Sequence, residues 1–185
     1  MNKVIAIVGM PGAGKSEASN FFTDKGFERV YFGSAIIEGL EEEGLSRNAE
    51  NETYYRKKIR DELGMAAVAM KVLPKIKKAI EEKKLIILDG LYGWEEYVYL
   101  QKEIQDLVLL CIFASPDIRY ERLAIRKERT FTRSEAKERD INEIEVTNKG
   151  GPIAIADHLI KNEGTKEEFT KELELFLDNL QNDSL

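Results

Sequence analysis

The chain has 185 residues, of which 43% are hydrophobic and 34% charged, and its formal net charge is −6. This length suits one compact domain, and the apolar fraction excludes a chain that stays disordered. The negative charge argues against a nucleic-acid partner, because phosphate backbones are bound through Lys and Arg. The apolar runs are far shorter than the ~20 residues of a membrane span, and the chain starts directly with a strand. We therefore expect a cytoplasmic protein with no membrane partner.

Hydrophobic periodicity predicts strands that alternate with helices along the chain. In the first half the predicted elements are, in order, a strand at Val4–Val8, a helix at 14–24 ended by Gly26, a strand at 29–32, and helices at 36–43 and 51–70. Pro74 is expected to break or restart the helix, which can continue to residue 82.

The second half continues the alternation and contains three signals for the start of a helix. These are Ser115-Pro116, a serine N-cap with proline at the first helical position, and two capping boxes at 132–135 and 165–168. The predicted elements are a strand at 85–88, a helix at Trp94–Glu103, a strand at Leu107–Phe113, a helix from 115 to about 128, a helix from 132, a strand at His158–Lys161 and a last helix from 165. Such alternation predicts an α/β fold of three layers, with a five-stranded parallel sheet and helices on both faces.

Cys111 is the only cysteine of the chain and lies in the apolar run at 107–113. A single cysteine excludes an internal disulfide and a multi-cysteine metal site. We expect it to be a packed thiol of the core.

The segment from Gly9 to Ser16 (GMPGAGKS) matches G-x-x-x-x-G-K-[ST] and lies between the first predicted strand and the first predicted helix. Its glycines let backbone N–H groups point at phosphate oxygens, and the helix N-terminus adds partial positive charge. Lys15 supplies a charge for the β- and γ-phosphates, and the Ser16 hydroxyl can ligate Mg²⁺. The alternative, a glycine-rich turn without a ligand, is disfavoured by this strand-loop-helix context. The sequence therefore predicts a P-loop NTPase fold that binds ATP and Mg²⁺ through Gly9, Pro11, Gly12, Ala13, Gly14, Lys15 and Ser16.

Asp89 follows the third predicted strand directly. Its carboxylate is expected at the carboxyl end of a buried strand, where open α/β sheets bind ligands. There it can hold Mg²⁺ or its waters, as Walker-B aspartates do. The alternative is a structural aspartate that caps the end of the strand.

These motifs resemble those of the nucleoside-monophosphate kinase and dephospho-CoA kinase group of P-loop kinases, which has an adenylate-kinase-like fold. The phosphate loop has the short form with Pro11, and Asp89-Gly90 resembles the pair that follows the third strand of adenylate kinases. The run at 119–126 (RYERLAIR) is similar to the helix that leads into their lid, and the segment at 156–165 (ADHLIKNEGT) resembles the one before the last helix of dephospho-CoA kinases. The resemblance spans nearly the whole chain and points to a kinase-like subgroup of bacteria and archaea that is related to dephospho-CoA kinase by fold.

This resemblance implies an ATP-dependent kinase built as a single domain with two helical insertions. It also implies that Asn162 and Gly164 pass near the adenine of ATP. The expected layout is a core of 1–33, 74–125 and 150–185, an acceptor-binding insertion at 34–73 and a lid at 126–149.

Two departures from the family concern the acceptor. Dephospho-CoA kinases carry an aspartate just after the second strand, as a base for a hydroxyl acceptor, whereas this chain has Gly33 and Ser34 there and no carboxylate until Glu38. Adenylate kinases follow their Asp-Gly pair with an arginine that grips the acceptor phosphate, whereas Tyr92 lies in this segment here. Neither activity transfers directly, and Gly33, Ser34 and Tyr92 become candidate substrate-binding residues.

Arg122 and Arg126 lie four residues apart and so share one helix face, from which both can reach one triphosphate. Arg129, Arg133 and Arg139 follow, in a segment that fits a flap closing over the site. The alternative is a solvated helix with interspersed salt bridges. The candidate catalytic residues are therefore Lys15, Asp89, Arg122 and Arg126.

On the acceptor side, Arg56 and Arg60 share one face of the long predicted helix and can supply cations, unless they are plain surface residues. A phosphate acceptor is already ionised and needs cations, whereas a hydroxyl acceptor is assisted by a base, a role for which Ser34 is poorly suited. We therefore expect a small-molecule, nucleotide-like acceptor, a nucleoside monophosphate in preference to dephospho-CoA.

Three alternatives stay open at this point. They are hydroxyl phosphorylation with Asp89 as the base, a P-loop ATPase or nucleotide switch that acts on a protein partner, and a pseudoenzyme that binds nucleotide without turnover. The sequence also leaves the oligomeric state open between monomer and homodimer.

Overall fold

The computed structural model describes residues 3–126 and 130–182, with side chains as far as residue 180. The strands are β1 (Val4–Val8), β2 (Glu28–Tyr31), β3 (Ile86–Asp89), β4 (Leu107–Phe113) and β5 (His158–Lys161). The helices are α1 (Lys15–Asp24), α2 (Gly33–Glu42), α3 (Ala49–Leu63), α4 (Ala67–Glu81), α5 (Trp94–Glu103), α6 (Pro116–Ala124), α7 (Arg133–Glu145), α8 (Gly150–Ala154) and α9 (Lys166–Asn182). None of the helices in these ranges is both long and apolar enough to cross a bilayer.

The five strands form one parallel sheet in the order β2-β3-β1-β4-β5. Parallel strands need crossover connections, and the intervening helices cover both faces of the sheet. The predicted three-layer α/β fold is confirmed.

Alternate residues of β1 enter the two halves of the core. Val4, Ala6 and Val8 pack in a cluster with α2, α3, α4 and α5, whereas Ile5 and Ile7 pack in a second cluster with α1 and α9. A strand covered on both faces requires apolar residues at every position, which explains the continuous run read in the sequence. Cys111 is buried in the first cluster, as predicted.

The two predicted capping boxes are present. The Thr132 N–H donates to Glu135 Oε2 at 2.7 Å, and the Thr165 N–H donates to Glu168 Oε2 at 2.8 Å. In return each threonine Oγ1 accepts from the backbone N–H of its glutamate. Helices α7 and α9 therefore begin where the sequence indicates.

The long helix predicted at 51–70 is wrong, because two helices occupy this region. Gly64 adopts a φ of +82° and ends α3, and its N–H donates to the Arg60 carbonyl at 2.9 Å. Helix α4 then runs through Pro74, although a proline inside a helix removes one backbone hydrogen bond. The buried face of α4, including Val72 and Ile76, offsets this loss by packing in the core.

Smaller corrections concern the ends of three elements and one helix that was not predicted. Strands β2 and β3 each begin and end one residue away from the prediction, so that Asp89 is the last residue of β3. Helix α6 ends at Ala124, before the predicted 128, and the five-residue helix α8 has no counterpart among the predicted elements.

Candidate active site

The phosphate-binding motif forms the loop between β1 and α1. Gly12 and Gly14 have φ angles of +80° and +106°, which residues with a Cβ rarely adopt. A Cβ at Gly14 would lie 2.2 Å from Asn162 Nδ2, and this amide donates to the Ala13 carbonyl at 2.9 Å. Asn162 therefore supports the loop through a backbone carbonyl, which holds the loop in shape without a ligand.

Lys15 and Ser16 open α1 at the mouth of the loop. Lys15 Nζ donates to the Met10 carbonyl at 3.1 Å and so lies back over the loop. Burial, together with the nearby charge of Lys149, lowers the pKa of Lys15 to about 7. A polyphosphate in the loop would reverse this shift, because an anion favours the charged form of a lysine.

Asp89 lies at the carboxyl end of β3, as predicted, and is only 8% exposed. Its neighbours in register are Ile7 of β1 and Tyr31 of β2. Its carboxylate forms an ion pair with Arg29 of β2. Sequence reasoning missed Arg29, since nothing local distinguishes it from a solvent-exposed strand residue.

These elements border one cleft of about 480 Å³. Six basic side chains line the cleft among the described residues, against three acidic ones, in a chain whose net charge is −6. The basic ones are Lys15, Arg29, Arg122, Arg126, Arg139 and Lys149, and the acidic ones are Glu17, Asp89 and Glu143. The cleft is thus a local concentration of positive charge, which is suited to a polyanionic ligand.

Lys149 is a cleft residue that sequence reasoning missed. It precedes α8, is 2% exposed, forms an ion pair with Glu143 of α7, and has its ammonium 4.4 Å from the centre of the Tyr92 ring. Arg139 donates to the same glutamate at 3.0 Å. Burial lowers the pKa of Lys149 despite this partner.

Glu143 is correspondingly a weak base. Burial by itself would raise its pKa, but Lys149 and Arg139 outweigh that effect, and the net shift is downward. A carboxylate held in this way keeps its charge and accepts a proton poorly.

Some of the arginines predicted in and before the lid line the cleft, whereas Arg133 does not. Arg122, Arg126 and Arg139 line the cleft, and Arg122 also donates to the Asn162 carbonyl at 3.0 Å. Arg133 instead forms an exposed ion pair with Asp117. Arg129 lies outside the described residues.

Most of the predicted loop residues line the cleft, and so does Tyr92, whereas several other predicted site residues do not. Pro11, Gly12, Gly14, Lys15 and Ser16 line it, and Gly9 and Ala13 are buried beneath. Arg56 forms an ion pair with Glu52 at 3.2 Å, and Arg60 lies close enough to Glu96 to act on its pKa. The predicted residues that do not line the cleft are Arg56, Arg60, Gly33, Ser34, Asn162 and Gly164.

A second groove of about 420 Å³ adjoins the cleft. Arg29 and Tyr31 line both spaces, so the groove leads away from the end of β2. Ser34 lies in this groove, where its Oγ accepts from Lys75 Nζ at 2.8 Å. Of the predicted substrate-binding residues, Ser34 and Tyr92 are therefore near the cleft and Arg56 is not.

The donor set of the cleft fits Mg²⁺. The Ser16 hydroxyl and the Asp89 carboxylate both line it, and Mg²⁺ is typically held by one or two carboxylates and by substrate phosphates. The described residues contain no group of three or more His, Cys, Asp or Glu that could hold a metal ion, so an all-protein metal cage is not what they form. Ser16 and Asp89 are thus the residues that would hold the metal together with a nucleotide.

Known proteins are similar to this chain in sequence or in fold. Residues 5–148 match a family model described as an AAA domain. A UPF0200 protein of Pyrococcus horikoshii is 32% identical over 175 residues, which cover 92% of this chain and 94% of that protein. Dephospho-CoA kinase from Campylobacter jejuni has a TM-score of 0.63 at 15% identity and full coverage of both chains. Shikimate kinase from Bacteroides thetaiotaomicron has a TM-score of 0.61 at 12% identity, with 97% of this chain and 98% of that chain covered. These likenesses show the fold of the P-loop kinases.

Proposed function

The chain belongs to the UPF0200 family and carries an AAA domain, and from this premise we propose that it transfers the γ-phosphoryl group of ATP to a phosphorylated, nucleotide-like small molecule. The observation that carries the proposal is the cleft itself, where basic side chains from five separate parts of the chain surround the phosphate loop. Phosphoryl transfer requires such convergence, because catalysis consists largely of positioning and of stabilising charge on the moving group.

Each side chain of the cleft has a distinct task in this proposal. The loop amides and Lys15 bind the β- and γ-phosphates, and Arg122 and Arg126 bind the triphosphate from α6 and the segment after it. Arg139 and Lys149 approach from α7 and the start of α8 and stabilise charge on the transferred group. Mg²⁺, when bound, would neutralise phosphate charge beside Ser16 and Asp89.

The charges of the cleft favour a phosphate acceptor over a hydroxyl. A hydroxyl must lose its proton during attack, and an assisting base typically contributes about 10²–10⁴-fold. The two carboxylates best placed for this are both engaged, since Asp89 pairs with Arg29 and Glu143 pairs with Lys149. A phosphate acceptor is already ionised near neutral pH and needs cations instead.

The cations available to the acceptor differ from those predicted. Because Arg56 is paired with Glu52 and lies away from the cleft, the proposal assigns the acceptor phosphate to the side where Arg29, Lys75 and Ser34 lie. Lys75 already bonds both Ser34 and Glu38 and would need to exchange one of these contacts.

A comparison of acceptors tests the proposal. ADP release is measured under equal conditions with the four common nucleoside monophosphates and with dephospho-CoA, shikimate and gluconate as hydroxyl acceptors. We expect at least one monophosphate to raise ADP release well above the rate in its absence and the hydroxyl acceptors to raise it little. Phosphorylation of a hydroxyl acceptor alone, lost in Asp89→Asn, would contradict the proposal and make Asp89 the base.

A further inference from the structure

Arg29 is the cleft residue whose ion pair occupies Asp89, the carboxylate assigned to the metal. Its guanidinium pairs with Asp89 Oδ2, and the two side chains are 33% and 12% exposed. Its other contacts are weak, a bond to Asn20 Oδ1 at 3.4 Å and an approach to the Tyr31 ring at 5.8 Å. Arg29 is thus held mainly by Asp89 and remains accessible from the cleft.

This ion pair and metal binding compete for the same carboxylate. Mg²⁺ demands near-ideal octahedral geometry at about 2.0–2.1 Å, directly or through its waters. A guanidinium bonded to Asp89 Oδ2 fills the space on that side of the carboxylate and adds a positive charge beside the ion. A metal held by Asp89 therefore requires Arg29 to move away.

The neighbouring groove is where a released Arg29 would go. Arg29 lines both the cleft and the groove, and the groove also contains Ser34 and Lys75. A guanidinium presents a planar fork of N–H donors that matches a phosphate, so a free Arg29 there is a phosphate ligand.

We propose that Arg29 is an acceptor-binding residue that is released when the metal binds. In the empty chain it pairs with Asp89. Once a metal-bound nucleotide occupies Asp89, Arg29 binds the acceptor phosphate at the junction of the cleft and the groove. The inference rests on the proposed function and adds a coupling to it. Because the same arginine opposes the metal and favours the acceptor, metal loading and acceptor binding assist one another, and such coupling is reciprocal. The acceptor is then bound productively only when the metal-nucleotide is in place.

The first test measures ADP affinity by calorimetry as a function of Mg²⁺ concentration, in the wild type, in Arg29→Gln and in Lys84→Gln. Lys84 lines the same groove but pairs with Glu28 and Glu82, so it serves as the control for the loss of one positive charge. We expect Arg29→Gln to lower the Mg²⁺ concentration at the midpoint by about 2- to 5-fold, because a partly exposed ion pair contributes a free energy of that size. Lys84→Gln is expected to leave the midpoint unchanged. An Arg29→Gln midpoint that is unchanged, raised, or matched by Lys84→Gln would overturn the inference.

The second test adds an equimolar pool of AMP, GMP, CMP and UMP to the same titration. The pool is expected to lower the Mg²⁺ midpoint of the wild type and to have no such effect in Arg29→Gln, and a wild-type midpoint that the pool does not lower would overturn the acceptor role. Failure of the proposed function is a different result, namely no ADP binding at any Mg²⁺ concentration. ADP binding that Mg²⁺ does not affect would contradict the inference about Arg29 alone.

Discussion

Lys15→Met is expected to reduce phosphoryl transfer by about 100-fold or more, the typical cost of removing one pre-positioned donor to developing charge, while the chain stays folded. Lys15 Nζ lies over the phosphate loop on the Met10 carbonyl, in a cleft rather than in the apolar core. Its loss removes charge stabilisation and little packing.

The matched control is Lys25→Met. Lys25 lies at the end of the same helix, exposed and paired with Glu174, so its replacement removes one charge without touching the cleft. Rates with the best acceptor and unfolding curves of both variants separate catalysis from stability. Wild-type turnover in Lys15→Met would contradict the assignment of the loop as the catalytic phosphate site.

Arg119→Met is expected to reduce the free energy of unfolding by about 3–5 kcal/mol, the range for removing one partner of a buried ion pair. Arg119 is 4% exposed and pairs with Asp140 of α7, with N–O distances of 3.0 and 2.6 Å. It also donates to the carbonyls of Pro11 and Ala114, so one side chain ties the phosphate loop, α6 and α7 together. Among the described residues, the substitution leaves the buried Asp140 carboxylate with the Tyr120 hydroxyl as its one remaining side-chain donor, at 2.9 Å.

Two further variants make the Arg119 experiment specific. Arg133 and Asp117 join the same two helices, but their side chains are 67% and 72% exposed, so Arg133→Met should change stability little. Arg119→Met/Asp140→Leu should recover part of the loss, because no charge is left buried without a partner. Urea unfolding measures all three, and equal effects of Arg119→Met and Arg133→Met would contradict the account of the buried pair.

The fold could be read from the sequence where the pattern is local. Val4–Val8 and Leu107–Phe113 are continuous apolar runs, and the capping boxes at Thr132 and Thr165 specify helix starts through contacts only three residues apart. The phosphate loop belongs to this class, because its glycines and Lys15 act through backbone geometry that the motif itself determines. By contrast, the break at Gly64 and the continuation through Pro74 depend on packing between helices, which a local pattern does not contain.

The candidate site could be predicted only in part for the same reason. Asp89 is predicted because it directly follows a buried strand. The four-residue spacing of Arg122 and Arg126 predicts a shared helix face, and both line the cleft, although α6 ends at Ala124 and Arg126 lies beyond it. Arg29 and Lys149 reach the cleft through the strand order and through the turn before α8, and neither lies in a recognisable motif. Charge alone would not have found them, since 28 Lys and Arg residues are spread over the chain.

Arg119 shows a related limit. The run at 119–126 contains three arginines, and the sequence predicts Arg122 and Arg126 as the ones that reach the ligand; both line the cleft. Arg119 lies one turn earlier and points into the interior, where it serves the loop through Pro11 and α7 through Asp140. Spacing predicts which residues share a helix face, whereas the partner helix decides which residue is buried.

The fate of the γ-phosphate tests the central claim most directly. The protein is incubated with Mg²⁺ and ATP radiolabelled in the γ-phosphate, with and without the pool of nucleoside monophosphates, and the products are separated by chromatography. The account predicts that label moves to a nucleoside diphosphate, that this product requires the pool, and that Lys15→Met lowers its rate of formation by about 100-fold or more. Label released only as inorganic phosphate, at one rate with or without the pool, would contradict phosphotransfer and favour an ATPase or nucleotide switch.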